Sequence, residues 1–365
     1  MRRIRAWSMA LAVATATALP GGAAQAAPEG PVTVYVDPTG PAALHGGQQR
    51  DGSAPERAVG SVAAAESVLR ARGARDARVL LRGGVHHLTS PIRWSYAPRG
   101  GRVTFSTIPG TGAVVLDGSR MRSAAVPTSA TGDDVGTAAA GYGMTLTSAD
   151  SGVVVEGYTF QYFRNGGIRV AGKPGDRAGD IVIRGNTFQY LGDHYNANGT
   201  GTGYGGVHVT NSTGTRIEGN RFYYLANDDS PAAIHGVYLA NYSNSSTIAG
   251  NRFGYVTGDP IRTRHNSKYN VADGNMFWRA GAYAIMSDWR FDSEDCGVGN
   301  VFKNNKVGDT SYNGDAWNED PQGGIDPVRV RLWGHDDAKN ANLGGCASDP
   351  VTFGGGNVYV STRPW

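Results

Sequence analysis

The chain has 365 residues, with 34 Lys and Arg against 31 Asp and Glu, 54 Gly and only two Cys. Its first 26 residues hold three Arg and no acid, so the remainder balances at 31 against 31. That balance argues against a nucleic-acid partner, which wants a basic face or tail. No apolar run reaches the length that spans a bilayer.

In chain order, Arg2, Arg3 and Arg5 form a basic start, and Trp7 to Leu19 is apolar and Ala-rich. Ala24-Gln25-Ala26 then supplies a small-x-small cleavage site. Residues 1–26 thus read as a secretory signal, by the general or the twin-arginine route, and the mature chain is expected outside the cell as a monomer. Val32-Thr33-Val34-Tyr35-Val36 alternates like a strand and ends at Asp37-Pro38. Ser61 is placed to cap a helix from Val62 to about Arg70. Arg78 to Leu81 reads as a buried strand ending in a turn at Gly83-Gly84. From Ser119 to Ala149 the chain is Ala-, Ser- and Gly-rich with no clear period, which suggests a loop or weak coil.

Beyond residue 150 a Gly-Asn-x-Phe signature recurs. It occurs as Gly185-Asn186-Thr187-Phe188, Gly219-Asn220-Arg221-Phe222, Gly250-Asn251-Arg252-Phe253 and Gly274-Asn275-Met276-Phe277. Gly299-Asn300-Val301-Phe302 is read as its continuation, and Gly157-Tyr158-Thr159-Phe160 as a degenerate earlier copy. The Phe positions step by 28, 34, 31, 24 and 25 residues, as expected of solenoid coils with occasional inserted loops. Each coil carries a second strand ahead of the signature, such as Arg216-Ile217-Glu218 or Thr247-Ile248-Ala249. Asn tolerates left-handed turns and bonds backbone groups there, so the recurring Asn is expected to form a ladder and the Phe an internal stack.

The pieces Tyr35-Val36-Asp37-Pro38, Leu81-Arg82-Gly83-Gly84-Val85-His86 and Val114-Val115-Leu116-Asp117-Gly118, together with these repeats, resemble the pectate-lyase-like superfamily. The resemblance implies an all-β, right-handed parallel β-helix with a short N-terminal capping helix, acting on a polysaccharide. It divides the chain into a signal (1–26), a cap with first coils (27–118), a loop or weak coil (119–150) and the main coils (151–365). It leaves the reaction open, because that fold hosts lyases, hydrolases, epimerases and non-catalytic modules. The Gly-His-Gly and Arg-Ile-Lys of polygalacturonases, the Asp-Pro-His-Asp of alginate epimerases and the Arg-x-Pro-x-x-Arg of classical pectate lyases are all missing.

The site therefore has to come from strand alternation. Aligning the first strand of successive coils puts Ile168/Val170, Val207/Val209, Val237/Leu239, Ile261/Thr263 and Ile285/Ser287 inward. One outward column is then Arg169, His208, Tyr238, Arg262 and Met286; a second ends in Arg264 and Asp288, read as an ion pair. Strands about 4.8 Å apart would spread His208, Tyr238 and Arg262 over roughly 10 Å, the reach of a sugar unit or two. His235, His265, Trp289 and Arg290 would flank the patch. In this alignment Arg262 has no acidic neighbour.

Two arginines with a tyrosine and histidines suit β-elimination from a uronate, which needs a cation for the carboxylate, a base and an acid. The expected catalytic group is Arg262, Tyr238, His208 and His235. Arg264, His265, Asp288, Trp289, Arg290 and Arg169 are expected to bind substrate. A glycoside hydrolase is the alternative, with loop acids such as Asp193, Asp228, Asp229 or Asp292 as its carboxylates, since Asp259 and Asp288 lie about 16 Å apart on this register. A non-catalytic glycan-binding solenoid is the third reading. No metal motif is strong, so no cofactor is expected, with calcium at the acidic loops as the weaker option. In an exported protein Cys296 and Cys346 are expected to bond, closing a 50-residue loop worth about 4 kcal/mol.

Overall fold

The computed structural model describes residues 30–40, 49–98, 100–123, 141–147, 152–282, 284–289, 294–308, 332–333 and 350–365. The signal segment, Arg290, Asp292 and Cys346 lie outside these residues. Among the described residues Cys296 is not a free thiol.

Three parallel sheets run the length of the molecule, with ten, nine and eight strands. The chain visits them in turn, as in Ile181–Arg184 of the ten-stranded sheet, Thr187–Leu191 of the nine-stranded sheet and Gly205–Thr210 of the eight-stranded sheet. The next coil repeats this with Arg216–Glu218, Arg221–Leu225 and His235–Ala240. Each strand pairs in parallel with its counterpart one coil on, Ile183 opposite Ile217 and Phe188 opposite Phe222. This is a right-handed parallel β-helix. Only stacking buries its core, because a single coil has no second layer to cover its apolar face.

The interior follows the sequence pattern closely. Phe160, Phe188, Phe222, Phe253 and Phe277 stack with centroids 4.8–5.1 Å apart. Beside them runs a ladder of asparagines. The backbone N–H and Nδ2 of Asn220 both donate to Oδ1 of Asn251, at 2.8 and 3.0 Å, while Nδ2 of Asn251 donates to the Ile217 carbonyl at 2.8 Å. The same pattern links Asn186 to Asn220, Asn251 to Asn275 and Asn275 to Asn305. The glycine before each of the four aligned Asn, such as Gly219 at φ 62°, makes the corner in a conformation that side chains disfavour.

One expectation is corrected in this region, and another narrows to its second alternative. Asn300 does not continue that ladder; it belongs to a second one, accepting from Asn270, and Asn305 takes the next rung after Asn275. Gly299-Asn300-Val301-Phe302 lies one sheet earlier in its coil, where Phe302 pairs with Ala272. The stretch without period between residues 119 and 150 also contains a full strand, Tyr142–Leu146, with all five residues buried. Its Gly143 faces Phe160 and Phe163, a packing that leaves no hydrophobic alternation to read.

At the N-terminal end the strand Val32–Val36 forms as expected. The helix runs from Val62 to Arg72; Ser61 Oγ accepts from the Ala64 N–H, and Gly73 ends it in a left-handed turn. Val62, Ala65 and Leu69 are buried, and the helix packs on the first strands, Val32–Val36, Asp76–Leu81 and Ile92–Trp94.

Candidate active site on the eight-stranded sheet

The inward and outward sets hold in four of the five aligned strands. Ile168, Val170, Val207, Val209, Val237, Leu239, Ile261 and Thr263 are all fully buried. Arg169 pairs with His208, His208 with Tyr238 and Tyr238 with Arg262 on the outer face. In the last coil the register moves by one residue. Met286 lies opposite Ile261 and is buried in the core, so it is not in the outward column. Ser287 stands opposite Arg262, Asp288 opposite Thr263 and Trp289 opposite Arg264. The run Ala284-Ile285-Met286 is apolar at three successive positions and all three are buried, so alternation alone could not choose the register.

That shift changes every partnership of the arginines. Asp288 is not the partner of Arg264; it accepts from Thr263 Oγ1 at 2.7 Å. Arg264 is held instead by Glu294, its Nε 2.8 and 2.9 Å from the two carboxylate oxygens. The expectation that Arg262 lacks an acidic neighbour is also overturned. Its Nη2 donates to Asp259 Oδ2 at 2.6 Å, while Ser287 Oγ and the Ala284 N–H donate to the same carboxylate. Asp259 precedes the strand by two residues and folds back onto it, an arrangement invisible to cross-strand counting. Trp289 lies under the Arg262 guanidinium, 5.5 Å from its ring.

His208 and Tyr238 form the centre of the face. The imidazole of His208 is sandwiched between Tyr204 and Tyr238, with centroids 5.7 and 4.8 Å away. Its Nδ1 is 2.7 Å from the hydroxyl of Tyr142, two strands away. The reach is possible because Gly166, in the strand between, has no side chain; a Cβ there would stand 2.9 Å from the Tyr142 ring. Tyr142 and Tyr204 were not anticipated; one sat in the unpatterned stretch and the other at the end of an inserted loop. His235 Nδ1 is 2.8 Å from the Asp259 carbonyl, so in its neutral form this nitrogen carries the proton and Nε2 keeps the lone pair.

Electrostatics keep both histidines neutral. Burial, and then Arg169, holds His208 well below the usual imidazole range. Burial, and then Arg262, brings His235 down to about 3. Burial raises the hydroxyls of Tyr142 and Tyr204. Arg264 is held charged, because Tyr238 and Glu294 outweigh its desolvation. Its Nη1 donates to the Tyr238 hydroxyl oxygen at 3.2 Å.

Arg169 is buried with its guanidinium 5.8 Å from the Tyr142 ring. Arg93 extends the column by two strands, facing Thr145, which in turn faces Arg169. Among the described residues, the face therefore carries Arg93, Arg169, Arg262 and Arg264 against Asp259 and Glu294. His265 sits beside Glu294, with Nδ1 3.5 Å from its carboxylate. Among the loop acids, Asp193 is buried and its carboxyl is raised by that burial, while Asp228 pairs with His194. Among the described residues, no group of three or more His, Cys, Asp or Glu is arranged to hold a metal ion.

No family model matches this chain, and no curated protein sequence matches it. Among solved structures the chain is similar to pectate lyase Pel9A, at 12% identity and a TM-score of 0.47, over 91% of this chain and 80% of that one.

Proposed function

We propose that this protein is a secreted polysaccharide lyase that cleaves a uronic-acid-containing glycan by β-elimination on the outer face of the eight-stranded sheet. The observation that carries the reading is the contact from Arg264 to the Tyr238 hydroxyl oxygen. In β-elimination a base takes the proton beside the uronate carboxylate, negative charge builds on the sugar carbon and its carboxylate, and the bond to the leaving oxygen breaks as an acid protonates that oxygen. Tyr238 is the proton-transfer group in this scheme. Arg264 stays hydrogen-bonded to its oxygen as charge moves, and the stacked His208 fixes the ring.

The excess of arginine over carboxylate on this face supplies the cationic field for an acidic sugar, with Arg93 the most exposed of the four. The role first expected of Arg262 passes to this group, because Arg262 is committed to Asp259. Export and a Cys296–Cys346 bond belong to the same reading.

Incubation with a panel of uronate and neutral polysaccharides tests it. New ultraviolet absorbance from an unsaturated uronate is the expected result, and Tyr238→Phe should lower that rate by about 10²–10⁴-fold with the fold intact. Reducing ends without the absorbance would move the assignment to hydrolysis, with the raised carboxyl of Asp193 as the acid to examine first.

A further inference from the structure

The nine-stranded sheet shows an outer surface of a different kind. Tyr162, Tyr190, Tyr224 and Tyr255 occupy the same place in four successive coils, with rings within 12° of parallel and centroids 5.6, 5.3 and 4.8 Å apart. All four have left-handed backbones, φ between 54° and 57°, where Gly or Asn would be easier. Such a residue costs about 1 kcal/mol or more in strain. The ring faces are used in stacking, but the edges look outward, and Tyr224 is 36% exposed.

Alongside this column runs a cationic one. Thr187, Arg221, Arg252, Met276 and Lys306 stand in register on the same face. Arg221 and Arg252 are direct neighbours, a like-charge pairing that disfavours the bare sheet. Arg363 adds a further cation, its guanidinium 4.7 Å from the Trp365 ring and 6.0 Å from the Tyr223 ring. Trp365 lies across the sheet over Gly254, which has no side chain to obstruct it. The strands Thr187–Leu191, Arg221–Leu225, Arg252–Val256 and Met276–Ala280 contain no acid. Among the described residues no ion pair engages Arg221, Arg252, Lys306 or Arg363.

We propose that this face is a second binding surface, separate from the Tyr238 site, for an anionic polysaccharide lying along the helix axis. Its rungs repeat at the strand spacing of about 4.8 Å, close to the advance of one pyranose in an extended glycan. Arg221 and Arg252 on adjacent rungs, and Lys306 two rungs further, would meet acidic groups along the chain, and the phenol edges would bond the hydroxyls between them. The polyanion also removes the repulsion between Arg221 and Arg252. A surface of this kind holds a long substrate while the other face works on it.

Affinity electrophoresis of the full mature chain in gels containing polygalacturonate, alginate, dextran sulfate or neutral dextran tests the proposal. Retardation by a uronate polymer and none by dextran is expected. The double variant Arg221→Glu/Arg252→Glu should reduce it by at least about tenfold, to what the Tyr238 site alone retains. Tyr224→Gly removes a ring while easing the left-handed backbone, so it should fold, and it should weaken binding by about tenfold. Tyr238→Phe should bind like the wild type. Unchanged retardation in the double variant, or in a Tyr224→Gly protein of normal melting temperature, would overturn the proposal. So would retardation by dextran sulfate without either uronate polymer. Elimination activity with unchanged binding in the double variant sinks this surface alone; uronate binding without elimination sinks only the lyase reading.

Discussion

The asparagine ladder and the outer face of the eight-stranded sheet are built on the same coils, yet their hydrogen bonds are assigned by different rules. In the ladder every coil supplies the same residue at the same place, so each Oδ1 meets the same two donors one coil away. On the outer face each coil supplies a different side chain, Arg169, then His208, Tyr238, Arg262 and Ser287. Partners there come from bends and loops, Asp259 for Arg262 and Glu294 for Arg264, as well as from neighbouring strands. A repeat secures structure through translation, whereas a site needs convergence of unlike groups. The two regions should therefore respond differently to single changes.

The largest effect is expected at Arg262. Its side chain points away from the core, and if it were a free surface cation, Arg262→Ala would fold normally. It instead neutralises a fully buried Asp259, and removing one partner of such a pair typically costs about 3–5 kcal/mol. Chemical denaturation should show that loss, and Arg262→Ala/Asp259→Asn should recover much of it. An Arg262→Ala protein of wild-type stability but no activity would return Arg262 to the substrate.

Next comes a rung of the ladder. Asn251→Ala removes the acceptor of the Asn220 N–H and of one Asn220 Nδ2 hydrogen, and the side-chain donor to the Ile217 carbonyl, for about 2–3 kcal/mol in the same unfolding experiment. A much smaller loss would mean that water or a shifted turn replaces the amide, and the contrast between the two regions would weaken.

The smallest effect is on pH. His208 and His235 have folded-state values below those of the unfolded chain, so unfolding takes up protons once the pH falls below about 6.5. Their stabilisation is complete above that pH and is lost progressively as pH drops toward about 3 for His235. Melting temperature should therefore begin to fall between pH 6.5 and 5, before carboxylates such as Asp37 and Asp117, themselves depressed below the usual range, contribute. His235→Asn, which keeps a donor toward the Asp259 carbonyl, should flatten that slope. An unchanged slope would mean that His235 is not the group taking up the proton.

Much of the molecule was legible from the chain alone because the deciding interactions repeat. Gly-Asn-x-Phe at coil spacing, strands such as Arg216–Glu218 and Thr247–Ala249, and the inner set from Ile168 to Thr263 all follow from local alternation and period. The capped helix after Ser61 is equally local. His208, Tyr238 and Arg262 on one face also came from alternation. Tertiary structure decided what alternation leaves degenerate. Where Ala284, Ile285 and Met286 are all apolar, only packing against Ile261 selects the register, and with it the neighbours of Arg264. Asn300 opens a strand and Asn305 follows it five residues on, and only strand pairing assigns them to different ladders. Tyr142 reaches His208 across a glycine strand, and Glu294 reaches Arg264 from a loop, at separations of 66 and 30 residues. Such contacts depend on where the chain is brought in space, and no period along the sequence encodes them.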